Sequence, residues 1–161
     1  MRIIACLLAA VALLALASQV SFPLGPVPLS LQSLAVLVIG VWLGPRLGAA
    51  VVVGWLALAA AGLPVLAEGK SGLGGPTLGF LVAMPFAAAL AGRWPRFPTM
   101  LAAHALILVA GWCWLATIIG PLKALSAGVL PFLPGALIKS LLAAAFAARL
   151  RKAPQSANQS R

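Results

Sequence analysis

The chain has 161 residues, 63% of them hydrophobic and 7% charged, with 11 lysines and arginines against one acidic residue. That balance points away from soluble domains and toward integral membrane proteins. At ~20 apolar residues per crossing there is room for about six spans and little else, so a single membrane domain over 1–150 is expected. The formal charge of +10 does not indicate nucleic-acid binding, because the basic residues are scattered between apolar runs. A nucleic-acid reader would gather them on one soluble face. Cys6 and Cys113 both fall within apolar runs and read as small core residues, not a disulfide pair.

Arg2 is followed by an unbroken apolar run, Ile3 to Ala17. Ala15-Leu16-Ala17 before Ser18 resembles the cleavage site of a signal peptide. Removing this run would leave an odd number of spans, so it is taken as the first helix, 3–20. Ala5 and Ala9 form a small-residue pair that lets another helix approach closely. Ser21 to Ser30 holds Pro23, Pro26, Pro28 and Gly25 and reads as an extended segment over the outer mouth. A second helix is expected over 31–43, with Gln32 and Ser33 in its first turn. Gly44-Pro45-Arg46 is a tight turn, and a third helix follows over 47–62.

Leu63 to Phe80 is the one interior stretch both glycine-dense and polar, and it carries Glu68, the sole acidic residue. Its backbone groups would go unpaired in lipid, so it sits in water or packs into a protein cavity. A fourth helix is expected over 77–91, then a basic, proline-bounded break from Arg93 to Pro98. The fifth helix, 99–119, contains His104, Trp112 and Trp114. Gly120 to Pro134 reads as a loop, the sixth helix covers 135–150 with Lys139 inside it, and 151–161 is a polar tail.

Six spans put both termini on one side. Eight lysines and arginines then fall on that side (Arg2, Arg46, Arg93, Arg96, Arg149, Arg151, Lys152, Arg161) and two on the other, Lys70 and Lys123. The positive-inside rule makes the termini and the tail cytoplasmic and turns the Glu68 loop and the proline-rich segment outward. A multi-pass protein of a bacterial plasma or inner membrane is the expectation.

With one histidine, one glutamate and no aspartate, no acid–base dyad and no metal cluster can be assembled, so no enzyme and no metal site is expected. No cofactor is called for. A phosphate-binding loop is absent, so any uphill transport takes its energy from another protein. Lys139 lies roughly 6 Å inside its helix at a rise of ~1.5 Å per residue. It either snorkels to the outer interface or faces a cavity and pairs with an anionic ligand. Thr77, Gly79 and Phe80 open the fourth helix after a glycine-rich approach, where free N–H groups can meet ligand oxygens or simply be capped. Gln32 can hydrogen-bond an amide-like ligand or cap its own helix. His104, Trp112 and Trp114 read first as packing residues.

Three phrases resemble the BioY family, the biotin-binding S components of energy-coupling-factor (ECF) transporters. They are Val27-Pro28-Leu29-Ser30-Leu31-Gln32; Gly62-Leu63-Pro64-Val65 with Gly74-Gly75-Pro76-Thr77-Leu78-Gly79-Phe80; and Leu130-Pro131-Phe132-Leu133-Pro134-Gly135 with Lys139. They run in the family order and span nearly the whole chain. The resemblance implies a six-helix S-component fold that captures biotin at the outer face for import. It implies as partners a transmembrane coupling protein and a pair of ABC-type ATPases, with Ala5 and Ala9 in the helix that contacts the coupling protein. Biotin would set its carboxylate at Lys139, its ureido ring at Gln32, Thr77 and the loop backbone near Gly79, and its apolar parts against Phe80 and Trp114. The sequence departs from the family pattern at Ala136, where an aspartate is expected, at Phe80, where a tyrosine is expected, and at Leu78 and Leu66. Those departures keep open an S component for a biotin precursor or another small anionic metabolite. A membrane protein that only binds partner helices is the remaining alternative.

Overall fold

The computed structural model describes residues 2–152, the side chain of Arg2 excepted, so the polar tail from 153 onward lies outside the described residues. Its elements in chain order are α1 (Arg2–Gln19), β1 (Ser21–Phe22), β2 (Leu29–Ser30), α2 (Gln32–Ala60), α3 (Leu78–Arg93), α4 (Phe97–Ile119), α5 (Pro121–Gly128) and α6 (Leu133–Lys152). Single 3-10 turns at Ala67–Gly69, Gly75–Thr77 and Leu130–Phe132 punctuate the connections. The helices form because leucine, alanine and valine runs satisfy every backbone group internally, which an apolar surrounding demands.

Four stretches of the described residues are long and apolar enough to cross a bilayer: Gln32–Ala60, Gly75–Arg93, Phe97–Ile119 and Pro121–Lys152. Ile3–Gln19 is a shorter apolar helix. The outward faces are apolar too, with Ile3, Leu8, Leu16, Val53, Val82, Phe86, Val109 and Ile138 all exposed. Such a surface suits lipid, not water. Cys6 and Cys113, expected in the core, are exposed on α1 and α4. The reason is that a run apolar all round does not reveal its inner face by hydrophobicity.

α2 is not straight. Gly44 adopts φ +81° and ψ 175°, a conformation glycine tolerates, and Pro45 follows. A Cβ placed on Gly48 would lie 2.7 Å from the Cα of Gly40, whereas residues eight apart in one helix stand about 12 Å apart. The chain therefore folds back at Gly44 into two limbs, 32–43 and 45–60. α3 packs against this elbow through Ala88 and Gly92, which meet the backbone of Gly40.

The proline-rich segment forms a small antiparallel hairpin, Ser21 facing Ser30 and Phe22 facing Leu29. Prolines restrict it to extended and turn geometry, and Gly25 turns it at φ +72°. Gly120 to Pro134 was expected to be a loop, yet residues 121–128 form α5. Gly120 ends α4 at φ +87°, and Pro121 then takes the first helical position, where its missing N–H costs nothing. A Gly-Pro pair marks an end and a beginning equally well.

The segment between α2 and α3 is tied down at several points. Gln19 donates from Nε2 to the Leu66 carbonyl at 3.0 Å, and Trp55 donates from Nε1 to the Val65 carbonyl at 3.0 Å. The Gly72 N–H donates to the Ala59 carbonyl at 2.7 Å, and the Glu68 N–H to Ser21 Oγ at 3.2 Å. Left-handed conformations at Gly62, Glu68, Gly69, Gly72 and Gly75 let it turn tightly over the helix ends.

Candidate functional site

A cavity of about 220 Å³ opens where this segment and the hairpin meet the first turns of α2, α3 and α6 and the middle of α4. Gln32 and Ser33 enter it from the start of α2, Thr77 and Phe80 from the start of α3, His104 from α4, and Ala136 and Lys139 from α6. Val27, Pro28 and Ser30 of the hairpin and Leu66, Lys70 and Gly72 of the α2–α3 segment complete the wall. The wall is mostly apolar with a few convergent polar groups, as small-molecule sites are.

Lys139 is the charge inside. Its Nζ donates to the Ser30 carbonyl and, at 3.2 Å, to Ser33 Oγ. An ammonium carries three N–H donors, so one is left for an occupant. Among the described residues no carboxylate answers its charge, because Glu68 pairs with Lys70 at 2.5 Å at the rim. A half-buried cation without a counterion favours an anionic or strongly accepting guest. The Lys139 ammonium is held against the hairpin and α2 by these two hydrogen bonds, inside the cavity wall.

Gln32 is buried, and its Nε2 donates to Met84 Sδ at 3.3 Å, a weak acceptor. Thr77 is half-buried at the turn before α3. Phe80 is 6% exposed, its ring packed over Gly111 and 6.4 Å from the Phe132 ring. Only a glycine at 111 leaves that space, since a Cβ there would occupy the ring.

Of the residues named from the sequence, Gln32, Thr77, Phe80 and Lys139 line this one cavity, and Gly79 and Trp114 do not. Gly79 is where α3 touches α4: a Cβ there would strike Trp114 and the Ala110 carbonyl. Trp114 is 38% exposed and donates from Nε1 to the Gly75 carbonyl at 2.8 Å, bracing the turn before α3. Both support the wall from behind. Ala5 and Ala9 lie on the exposed face of α1, away from the cavity.

Ser33, Lys70, Met84 and His104 belong to the wall and were not singled out as ligand contacts. Ser33 adjoins Gln32 in the first turn of α2, which is a usable signal. His104 gave none, since one histidine in an apolar helix is indistinguishable by spacing from a packing residue.

The BioY family model matches residues 1–156. Among curated relatives, the probable biotin transporter BioY of Pyrococcus horikoshii is 39% identical over 147 residues, covering 88% of this chain and 91% of the relative. The biotin transporter BioY of Thermotoga maritima is 36% identical over 153 residues, covering 88% of this chain and 90% of the relative. Among solved structures, the S component for biotin from an ECF-type ABC transporter superposes with a TM-score of 0.81 at 29% identity, covering 94% of this chain and 91% of the other. The chain belongs to the BioY family.

Proposed function

We propose that this protein is the biotin-binding subunit of a vitamin uptake transporter, a carrier and not an enzyme. The observation that carries the proposal is the uncompensated ammonium of Lys139 inside a mostly apolar cavity. Biotin matches that wall: an apolar bicycle and chain, a carboxylate, and a ureido ring needing a few hydrogen bonds. Lys139 takes an oxygen of the vitamin, Gln32 and Thr77 bond its polar ring, and Phe80 packs on its apolar part. Gly79 and Trp114 act indirectly by bracing the α3–α4 contact and the turn at Gly75.

In this reading α2 crosses the membrane twice, once per limb, giving six spans with α1, α3, α4 and α6. The first limb, 12 residues and about 18 Å long, is shorter than the ~30 Å hydrocarbon core. It therefore begins within the protein, at Gln32 in the cavity wall. The termini are cytoplasmic and the cavity opens outward in a cell membrane, in keeping with the excess of lysine and arginine on the side of the termini. Energy comes from a transmembrane coupling protein with a pair of ABC-type ATPases, docked on the exposed face of α1 around Ala5 and Ala9.

Uptake of labelled biotin tests this reading, in cells that make none and that express the chain with the coupling proteins. Uptake above that of cells lacking the chain is expected. An Ala9→Trp variant should lose most of it while the purified variant still binds biotin, because a large ring on α1 blocks close helix approach. Full-strength uptake by Ala9→Trp would remove α1 from the docking surface. No uptake by the correctly inserted wild type would contradict the transport assignment.

A further inference from the structure

His104 sits in the cavity wall, 4% exposed, on the side where α4 packs against α6. Its Nδ1 lies 2.8 Å from Ser140 Oγ and 3.3 Å from the Met100 carbonyl oxygen. Its Nε2 is buried and has no hydrogen-bond partner among the described residues. A buried polar atom left in that state costs stability, so proteins rarely keep one without a use.

The neighbours of Nδ1 decide what Nε2 can do. The Met100 oxygen can only accept, and the serine hydroxyl can accept as well as donate. The Met100 oxygen is reached only when Nδ1 carries the proton, which it then shares with the serine oxygen. In that tautomer Nε2 is a bare acceptor, with the ring held by the shared bond at its other end. Nothing among the described residues offers it a hydrogen bond. Within this wall Lys139 is a pure donor, so the two residues pose opposite demands on one occupant.

We propose that His104 is a ligand-contacting residue whose Nε2 accepts an N–H from the molecule in the cavity. Resting on the biotin reading, that group is a ureido N–H. A guest must then carry both an acceptor for Lys139 and an N–H for His104, and a cyclic urea meets both demands. A simple fatty or aromatic acid offers only the first. His104 thereby discriminates among anionic guests of similar size, which a cation alone cannot do. Ser140 is its positioning residue, holding the ring and its tautomer.

His104 is the chain's sole histidine, so selective ¹⁵N labelling of a protein bearing no histidine tag yields one imidazole. In the free protein the proton is expected on Nδ1, and saturating biotin should shift the Nε2 resonance as it gains a donor. His104→Phe should bind biotin about tenfold more weakly, the range of one neutral hydrogen bond. It should bind a biotin analogue methylated at both ureido nitrogens as well as the wild type does. His104→Gln, whose amide reaches near the position of Nε2, should recover part of the loss, which a purely packing role would not give. A proton on Nε2, an unmoved Nε2 resonance at calorimetric saturation, or equal losses for biotin and its methylated analogue would each overturn the proposal. A folded wild type that binds no biotin at all would instead sink the biotin reading, and this assignment with it.

Discussion

Lys139→Ala is expected to weaken biotin binding about a hundredfold, read by calorimetric titration in detergent. The estimate is about 3 kcal/mol, the scale of a charge-assisted hydrogen bond in a partly desolvated site, at about 1.4 kcal/mol per tenfold. The substitution also removes the bonds to the Ser30 carbonyl and Ser33 Oγ. Part of any loss could therefore come from a loosened hairpin. Lys139→Met keeps the apolar stem and its packing but deletes the ammonium together with the same two bonds, so it separates the packing of the stem from the ammonium. Equal losses in both variants assign the effect to the ammonium. Lys139→Arg keeps the charge but brings a larger planar head, and should fall between wild type and alanine. Biotin carries two acceptor ends, and its methyl ester identifies which one Lys139 holds. An ester that binds wild type as weakly as biotin binds Lys139→Met assigns the carboxylate. An ester of undiminished affinity assigns the ureido oxygen instead.

The second large effect is on stability. Gly40→Val should cost about 3 kcal/mol or prevent folding, read as a lower thermal unfolding midpoint in detergent. A Cβ on Gly40 would strike the Ala88 carbonyl oxygen and lie 2.9 Å from its carbon, and both atoms are backbone. The same knot holds Gly92, whose added Cβ would lie 2.7 Å from Gly44 C and Pro45 N. No side chain can swing aside to make room, so two helices would have to separate. Such contact through small residues is how helices associate where lipid offers no hydrophobic drive. Gly54→Ala is the control, on the same helix with nothing within 4 Å of the new atom. It should be neutral or mildly stabilising, by up to about 1 kcal/mol of helix propensity. A Gly40→Val protein as stable as wild type would show that α2 and α3 are not packed this closely.

These two sites differ in how visible they are from sequence. The elbow at Gly44 is legible because glycine followed by proline breaks an apolar run long enough for two helices. The contact of Gly40 with Ala88 is not, since it depends on how the limbs cross. The hairpin was readable as extended chain from its prolines, while its pairing of Ser21 with Ser30 required the fold. α5 was missed because Gly120-Pro121 ends one helix and starts the next with the same two residues.

The site shows the same division. Lys139 stood out as a charge in an apolar helix, and Gln32, Thr77 and Phe80 by their place at helix starts beside glycine-rich chain. All four reach one cavity. Gly79 shared those local cues but faces the α3–α4 contact, one residue of helical rotation, ~100°, from Phe80; Trp114, named only through the family resemblance, packs at that same contact. His104 became visible only through an atom without a partner, and sequence does not record partners.

The central claim is that this cavity binds biotin, and the most direct measurement is equilibrium titration of biotin into the purified wild-type protein in detergent. One saturable site per chain is expected, with a heat signal that a simple fatty acid of similar length does not reproduce and a raised unfolding temperature in the complex. A protein that unfolds cooperatively yet shows neither heat nor thermal shift with biotin would contradict the account.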